Sequence, residues 1–106
     1  MAAELQDTFQ SDFCAERLRA LGDPHRLRVI EALRSGEQTV TDLALLLDVE
    51  VVNLSHHLQV LRRAELVRVR REGRFMYYSV HPGLSGRRFL DLGCCRLEVP
   101  QPPGGR

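Results

Sequence analysis

Residues 39–80 read TVTDLALLLDVEVVNLSHHLQVLRRAELVRVRREGRFMYYSV, and the period of their apolar side chains changes once, just after Ala64. Before that point Leu54, Leu58 and Leu61 recur at i, i+4 and i+7, the mark of a helix that buries one face. After it Val67 and Val69 alternate with Arg68 and Arg70, a Glu72-Gly73 turn follows, and the β-prone run 75–80 comes back. TVTDLALLLDV and EVVNLSHHLQVLRRA predict two short helices with only a couple of residues between them, around Asp48 to Glu50, which is helix-turn-helix spacing. A helix-turn-helix running straight into an arginine-tipped hairpin predicts a winged helix, mainly α with a small β-hairpin.

Working outward, Cys14, Leu18 and Leu21 fall at i, i+4 and i+7 with Phe13 beside them, predicting a first helix over about residues 11–21 that Gly22 stops. GDPHRLRVIEAL restarts a helix with Asp23 as N-cap and Pro24 at its first position, and Leu27, Ile30 and Leu33 make the expected buried line. SGEQ is read as the turn that follows. Beyond the hairpin, Gly83, Gly86 and Gly93 interrupt every pattern; the reading is a short helix near residues 84–92, ended by Gly93, then an extended strip. The sequence therefore divides into a domain over residues 1–99 and a Pro/Gly tail, PQPPGGR, over 100–106 that is expected to be disordered.

A chain of 106 residues makes one modest core, and a symmetric partner would help to bury its apolar surface. With no run of 18 apolar residues and no leader-like segment, neither a membrane span nor secretion is expected, so the reading is cytoplasmic. Three cysteines, Cys14, Cys94 and Cys95, are too few and too unevenly placed for a disulfide framework, and are expected to be reduced. No glycine-rich phosphate loop, carboxylate pair or nucleophile-base constellation is present, which argues against an enzyme. The net charge of +1 conceals an asymmetry: residues 1–50 sum to −5 and residues 51–88 to +6. Every basic residue is arginine, whose planar fork suits phosphates and base edges, so the middle of the chain has the charge of a polyanion-binding surface. A solvated surface of an arginine-rich protein would give the same count.

The adjacent histidines sharpen that choice. At about 100° per residue, Leu58 and Leu61 lie within about 40° of Leu54, and His56 points about 200° away. It shares the outward arc with Ser55, Gln59, Arg62 and Arg63, with Asn53 toward the helix start. His57 falls at the edge of the core, as a packed ring. Because the two rings diverge, they do not form the i, i+4 pair that shares a metal on one helix. Serine, histidine, glutamine and arginine on one outward face are the groups that read base edges in a major groove. Arg70, Arg71 and Arg74 of the hairpin would flank the neighbouring groove or backbone. The expected partner is double-stranded DNA. The rival is a winged helix that docks on an acidic protein.

The stretch LGDPHRLRVIEAL, the block SHHLQVLRRAELV and the hairpin RREGRFMYY together resemble the ArsR/SmtB family of winged-helix metalloregulatory repressors. The likeness covers about residues 18–81, and Ser55, His57, Leu58 and Leu61 follow the family's Ser-x-His-Leu-x-x-Leu pattern. The resemblance implies a homodimer on a near-palindromic operator, with Ser55, His56 and Gln59 at the bases and the wing arginines on backbone or minor groove. Three departures stand out. Thr39, Val40, Thr41, Asp42, Leu43 and Ala44 occupy the arsenic-type Cys-Val-Cys-Asp-Leu-Cys positions, so that site is missing. No histidine follows His81, so the zinc-type tail site is missing too. Glu65 stands where the family usually has a helix-closing glycine, which predicts a strained turn into the wing.

In the family fold the first helix and the C-terminal segment pack together, so the resemblance implies that Cys14 lies near Cys94 and Cys95, within or across subunits. No constitutive cofactor is expected. Three thiolates would suit a thiophilic inducer such as As(III), Sb(III), Cd(II) or Pb(II). Thiol redox or persulfide sensing by the same residues is the alternative, and plain packing a third. Neighbouring cysteines point apart in regular structure, so joint ligation needs an irregular backbone, which Gly93 permits. Arg87, Arg88 and Arg96 nearby would favour thiolates.

Overall fold

The structure, a computed structural model, describes residues 6–101; of the expected disordered tail, residues 102–106 lie outside the described residues. Four helices come first: α1 (Ser11–Leu21), α2 (Pro24–Arg34), α3 (Val40–Leu47) and α4 (Val51–Arg63), with a two-residue strand β1 (Gln38–Thr39) between α2 and α3. The hairpin β2 (Val67–Glu72) and β3 (Phe75–Val80) follows, then a second hairpin, β4 (Phe89–Asp91) and β5 (Arg96–Glu98).

Local chemistry accounts for the helix ends. The Asp23 carboxylate accepts from the amides of His25 at 2.8 Å and Arg26 at 3.2 Å, and Pro24 occupies a position whose missing N–H costs nothing. Thr39 caps α3 by accepting from the Asp42 amide at 3.1 Å. Asp48 closes α3 in the left-handed region, φ 56°, which a short polar side chain tolerates. Leu54, Leu58 and Leu61 of α4 are buried as expected, and pack with Val29, Ile30 and Leu33 of α2 and Leu43 of α3 in one core.

Two apolar stripes are rotated from the sequence reading. Leu18 is 42% exposed and Leu27 48%, while Cys14, Ala20 and Leu21 of α1 and Val29, Ile30 and Leu33 of α2 are buried. In each helix an arginine takes the inward place. Arg17 packs over the Phe13 ring at 4.4 Å, with only 14% of its side chain exposed. Arg26 turns back to α1, where its Nε donates to the Ala20 carbonyl at 2.6 Å and its Nη2 to Arg19 O at 3.4 Å. The Ala20 carbonyl has no helical donor because Pro24, four residues on, carries no N–H, so the guanidinium is favoured over an apolar side chain there; Arg19 O also takes the Gly22 amide at 3.1 Å.

The wing is an antiparallel ladder from Val67 opposite Val80 to Glu72 opposite Phe75, with β1 added on the outer edge of β3 through Gln38–Tyr78 and Thr39–Tyr77. Its turn is Gly73-Arg74, one residue later than expected, because Gly73 takes the positive φ of 62° that such a turn requires. The short stretch read as pure turn, SGEQ, ends instead in β1.

The predicted helix over residues 84–92 is absent. Pro82 and Gly83 form a turn, and Leu90 and Leu92 are both buried, a period of two that belongs to a strand. Leu90 pairs with Leu97, and Arg34 of α2 holds the loop beside them, donating to the carbonyls of Arg87 at 3.1 Å and Pro100 at 2.9 Å.

Glu65 adopts φ 62°, the strained conformation foreseen for a residue in place of a helix-closing glycine. Its N–H donates to Arg62 O at 2.9 Å and that of Leu66 to Leu61 O at 2.9 Å, so the turn is fully bonded and the strain lies in the side-chain-bearing Cα alone. Its ion pair with Arg17, 3.7 Å long with Glu65 74% exposed, offsets little of this. Glu65→Gly is therefore expected to stabilise the fold by about 0.5–1 kcal/mol, and Glu65→Ala not at all, in urea titrations of the two variants.

Candidate DNA interface and thiol centre

Burial of the leucine stripe fixes the rotation of α4, and the opposite face carries the expected residues. Asn53, Ser55, His56, Gln59, Arg62 and Arg63 are all exposed on it. His57 sits half-buried at the edge. Arg71 and Arg74 are exposed at the wing tip, where the Arg71 Nε donates to the Gly73 carbonyl at 3.2 Å.

Arg70 is committed elsewhere. Its guanidinium pairs with Glu37 at 2.5 Å and Glu72 at 2.6 Å and lies 4.6 Å over the Tyr77 ring. Both carboxylates raise the Arg70 pKa, and the Arg70 hydrogen bond holds the Glu37 carboxyl below its usual range. Arg70 thus braces the wing against the loop before β1, and Arg71 and Arg74 remain as outward cations at the wing tip.

His57 is the hinge of a network that the sequence reading missed. Arg26 Nη1 lies 3.2 Å from its Nδ1, and because a guanidinium only donates, Nδ1 accepts and the ring proton sits on Nε2. His25, at the start of α2, stacks on His57 with ring centroids 5.4 Å apart. Arg26 therefore ties the end of α1, the start of α2 and the middle of α4 together through one side chain. Its signal in the sequence was its position: residues 26, 29, 30 and 33 form one i, i+3, i+4, i+7 line, which includes Arg26 and leaves Leu27 out.

The cysteines form the second constellation. Cys14, buried on α1, is joined to Cys94 by a disulfide, and Cys95 carries a free thiol. Cys95 Sγ lies 3.7 Å from Cys14 Sγ and 3.9 Å from Cys94 Sγ, so the three sulfurs form one cluster within a single chain. The vicinal pair sits in the turn between β4 and β5, where Leu92 N donates to Cys95 O at 2.8 Å and Gly93 takes φ 89°. That irregular turn lets neighbouring cysteines face the same way. The disulfide departs from the expectation of three reduced thiols. Its cause is proximity: α1 and the turn hold the two Cα atoms 5.8 Å apart, an ordinary disulfide separation. Arg96 is turned to Asp91 at 3.7 Å and over the Phe89 ring at 4.3 Å, so its charge is already engaged.

The donor set fits a thiophilic ion when reduced. Sulfurs about 2.3 Å from a common ion in tetrahedral directions are about 3.8 Å apart, and two of the three edges here already have that length. The third edge is the disulfide, so the oxidised chain offers only Cys95.

A family model described as a helix-turn-helix domain matches residues 21–70. The chain is 35% identical to the transcriptional repressor SdpR of Bacillus subtilis over 59% of its own length and 70% of that protein's. It is 43% identical to the transcriptional repressor SmtB homolog of Synechocystis over 73% of this chain, and spans only 58% of that relative. Among solved structures, a homodimeric winged helix-turn-helix DNA-binding domain from Mycobacterium bovis, a possible ArsR-family regulator, superposes with a TM-score of 0.67 at 31% identity, covering 74% of this chain and 75% of that one.

Burial lowers the His57 pKa below 6.5, helped by Arg26 and the neighbouring histidines and opposed by Asp23. The fold favours the neutral ring, so this contribution is complete above pH 6.5 and is lost as pH falls through the lower folded value. Between pH 7.5 and 5 the urea midpoint is expected to drop further for the unaltered protein than for His57→Gln, which can still accept from Arg26 and does not titrate.

Proposed function

This chain belongs to the ArsR/SmtB family of winged-helix transcriptional regulators, and we propose that it is a homodimeric repressor whose grip on operator DNA is set by Cys14, Cys94 and Cys95. The observation that carries the reading is one chain presenting an outward polar ridge on α4 and, away from it, a sulfur cluster joining α1 to the β4–β5 turn. Twofold pairing sets two α4 ridges about 34–36 Å apart, one turn of duplex, so each enters a successive major groove of a near-palindromic site. Asn53, Ser55, His56 and Gln59 contact base edges, and Arg62, Arg63, Arg71 and Arg74 contact the backbone.

The inducer in this reading is a thiophilic metal or metalloid ion such as As(III), held by the three reduced thiolates. Ligation ties α1 to the tail. Release follows only if the ion binds the low-affinity conformation of the dimer better than the DNA-bound one, and a difference of about 1–3 kcal/mol is typical of such coupling. The Cys14–Cys94 disulfide supports a second reading, in which oxidation does the same job. Hydrogen peroxide would accept two electrons and two protons from the paired thiols, forming the S–S bond and two waters. Both reactions tie the same two segments.

Arsenite titrated into the reduced protein on operator DNA separates the readings. The expected result is loss of three titratable thiols per chain together with DNA release; release by peroxide but not by arsenite would favour the second reading, and release by neither would remove the sensor. Binding itself should weaken steeply with salt. Arg74→Ala is expected to weaken every duplex alike and flatten the salt dependence, whereas Gln59→Ala should relax preference at one position per half-site by about 1–3 kcal/mol. Indifference to duplex DNA at low salt would instead favour a protein-docking wing.

A further inference from the structure

The first turn of α4 exposes two valines, Val51 and Val52, and it is Val52 that stands in the middle of the polar arc. Val52, the second residue of the helix, is 78% exposed. At about 100° per residue it points within about 20° of both Gln59 and Arg63, in the middle of the polar arc and at its N-terminal end. Exposure of a β-branched residue there adds nothing to the core and slightly disfavours the helix. Val52 also lines a pocket of about 280 Å³ with Val29, Leu47, Val49 and Leu54, so an apolar wall continues inward from it beside the polar side chains of Arg28 and three histidines.

The N-terminal residues of a recognition helix reach the base edges. In the major groove those edges carry hydrogen-bonding groups and one apolar group, the C5-methyl of thymine. Arg28 lines the pocket beside Val52, and Arg62 and Arg63 share its arc at the far end of α4, so a duplex laid along this helix meets cations at both ends of the face. We infer that Val52 packs on a thymine methyl in each half-site and so fixes a T·A pair at that position of the operator. This rests on the operator-binding reading above and adds a specificity-determining contact to it. Thymine and uracil differ there by the methyl alone, which isolates the contact from every hydrogen bond in the groove.

The test starts from the duplex that the reduced, unaltered protein selects from a randomised pool, with uracil then placed at each thymine in turn. One substitution per half-site is expected to weaken binding about fourfold, and the symmetric pair about 15-fold, the effect of one buried methyl group at each site. Val52→Ala should bind the uracil and thymine duplexes equally, and Val52→Ile should keep the discrimination. If the unaltered protein ignores uracil at every position, or if Val52→Ala discriminates as well as it does, the inference is overturned while operator binding stands. If no duplex is selected at all, operator binding and this contact fall together.

Discussion

Burial of Leu54, Leu58 and Leu61 fixes the rotation of α4, and most of the molecule follows from that one constraint. A helix that must put three leucines against α2 and α3 has no freedom in what it shows on the other side. The polar ridge is therefore held by the core and does not depend on its own interactions. Because α4 leads into β2 through a bonded turn at Ala64 and Glu65, the same constraint sets the direction in which the wing leaves the body. The strain at Glu65 is the local cost of that exit.

The arginines divide by position into two kinds of work. In the acidic first half Arg17, Arg26 and Arg34 face inward and satisfy carbonyls, rings or carboxylates, joining α1 to α2, α2 to α4 and α2 to the tail. In the basic middle of the chain the side chains of Arg62, Arg63, Arg71 and Arg74 lie on the surface, whereas Arg70 is neutralised by Glu37 and Glu72. A stem that packs and a head that donates several hydrogen bonds let the same residue serve both purposes. Charge counts alone could not tell them apart.

That ambiguity explains where the sequence was legible. The α4 stripe, the cap at Asp23 and the alternation of β2 are strong periodic or stereochemical signals, and each led to the right element. Leu18 and Leu27 misled because a leucine at helical spacing outweighs an arginine in any apolar count, whereas the packed helices needed donors at the α1 carbonyls. Residues 84–92 misled because three glycines hid a period of two carried only by Leu90 and Leu92. The sulfur cluster was approached through family likeness, and the pairing of Cys14 with Cys94 across 80 residues depends on tertiary contact that no local pattern encodes. Of the site residues, the exposed face of α4 was readable because periodicity reports orientation; the capture of Arg70 was not, since Glu37 is remote in sequence.

The sulfur cluster has its members on either side of the winged helix in the chain: Cys14 comes before α2, and Cys94 and Cys95 after β3. Under the proposed function the DNA-reading part is an uninterrupted segment, and the detector is assembled from its two flanks. A lineage can exchange those flanks by recombination or by a few point changes and inherit the reader intact. One DNA-reading body can in this way descend with many chemical appetites, each new one requiring no revision of the surface that meets the genome.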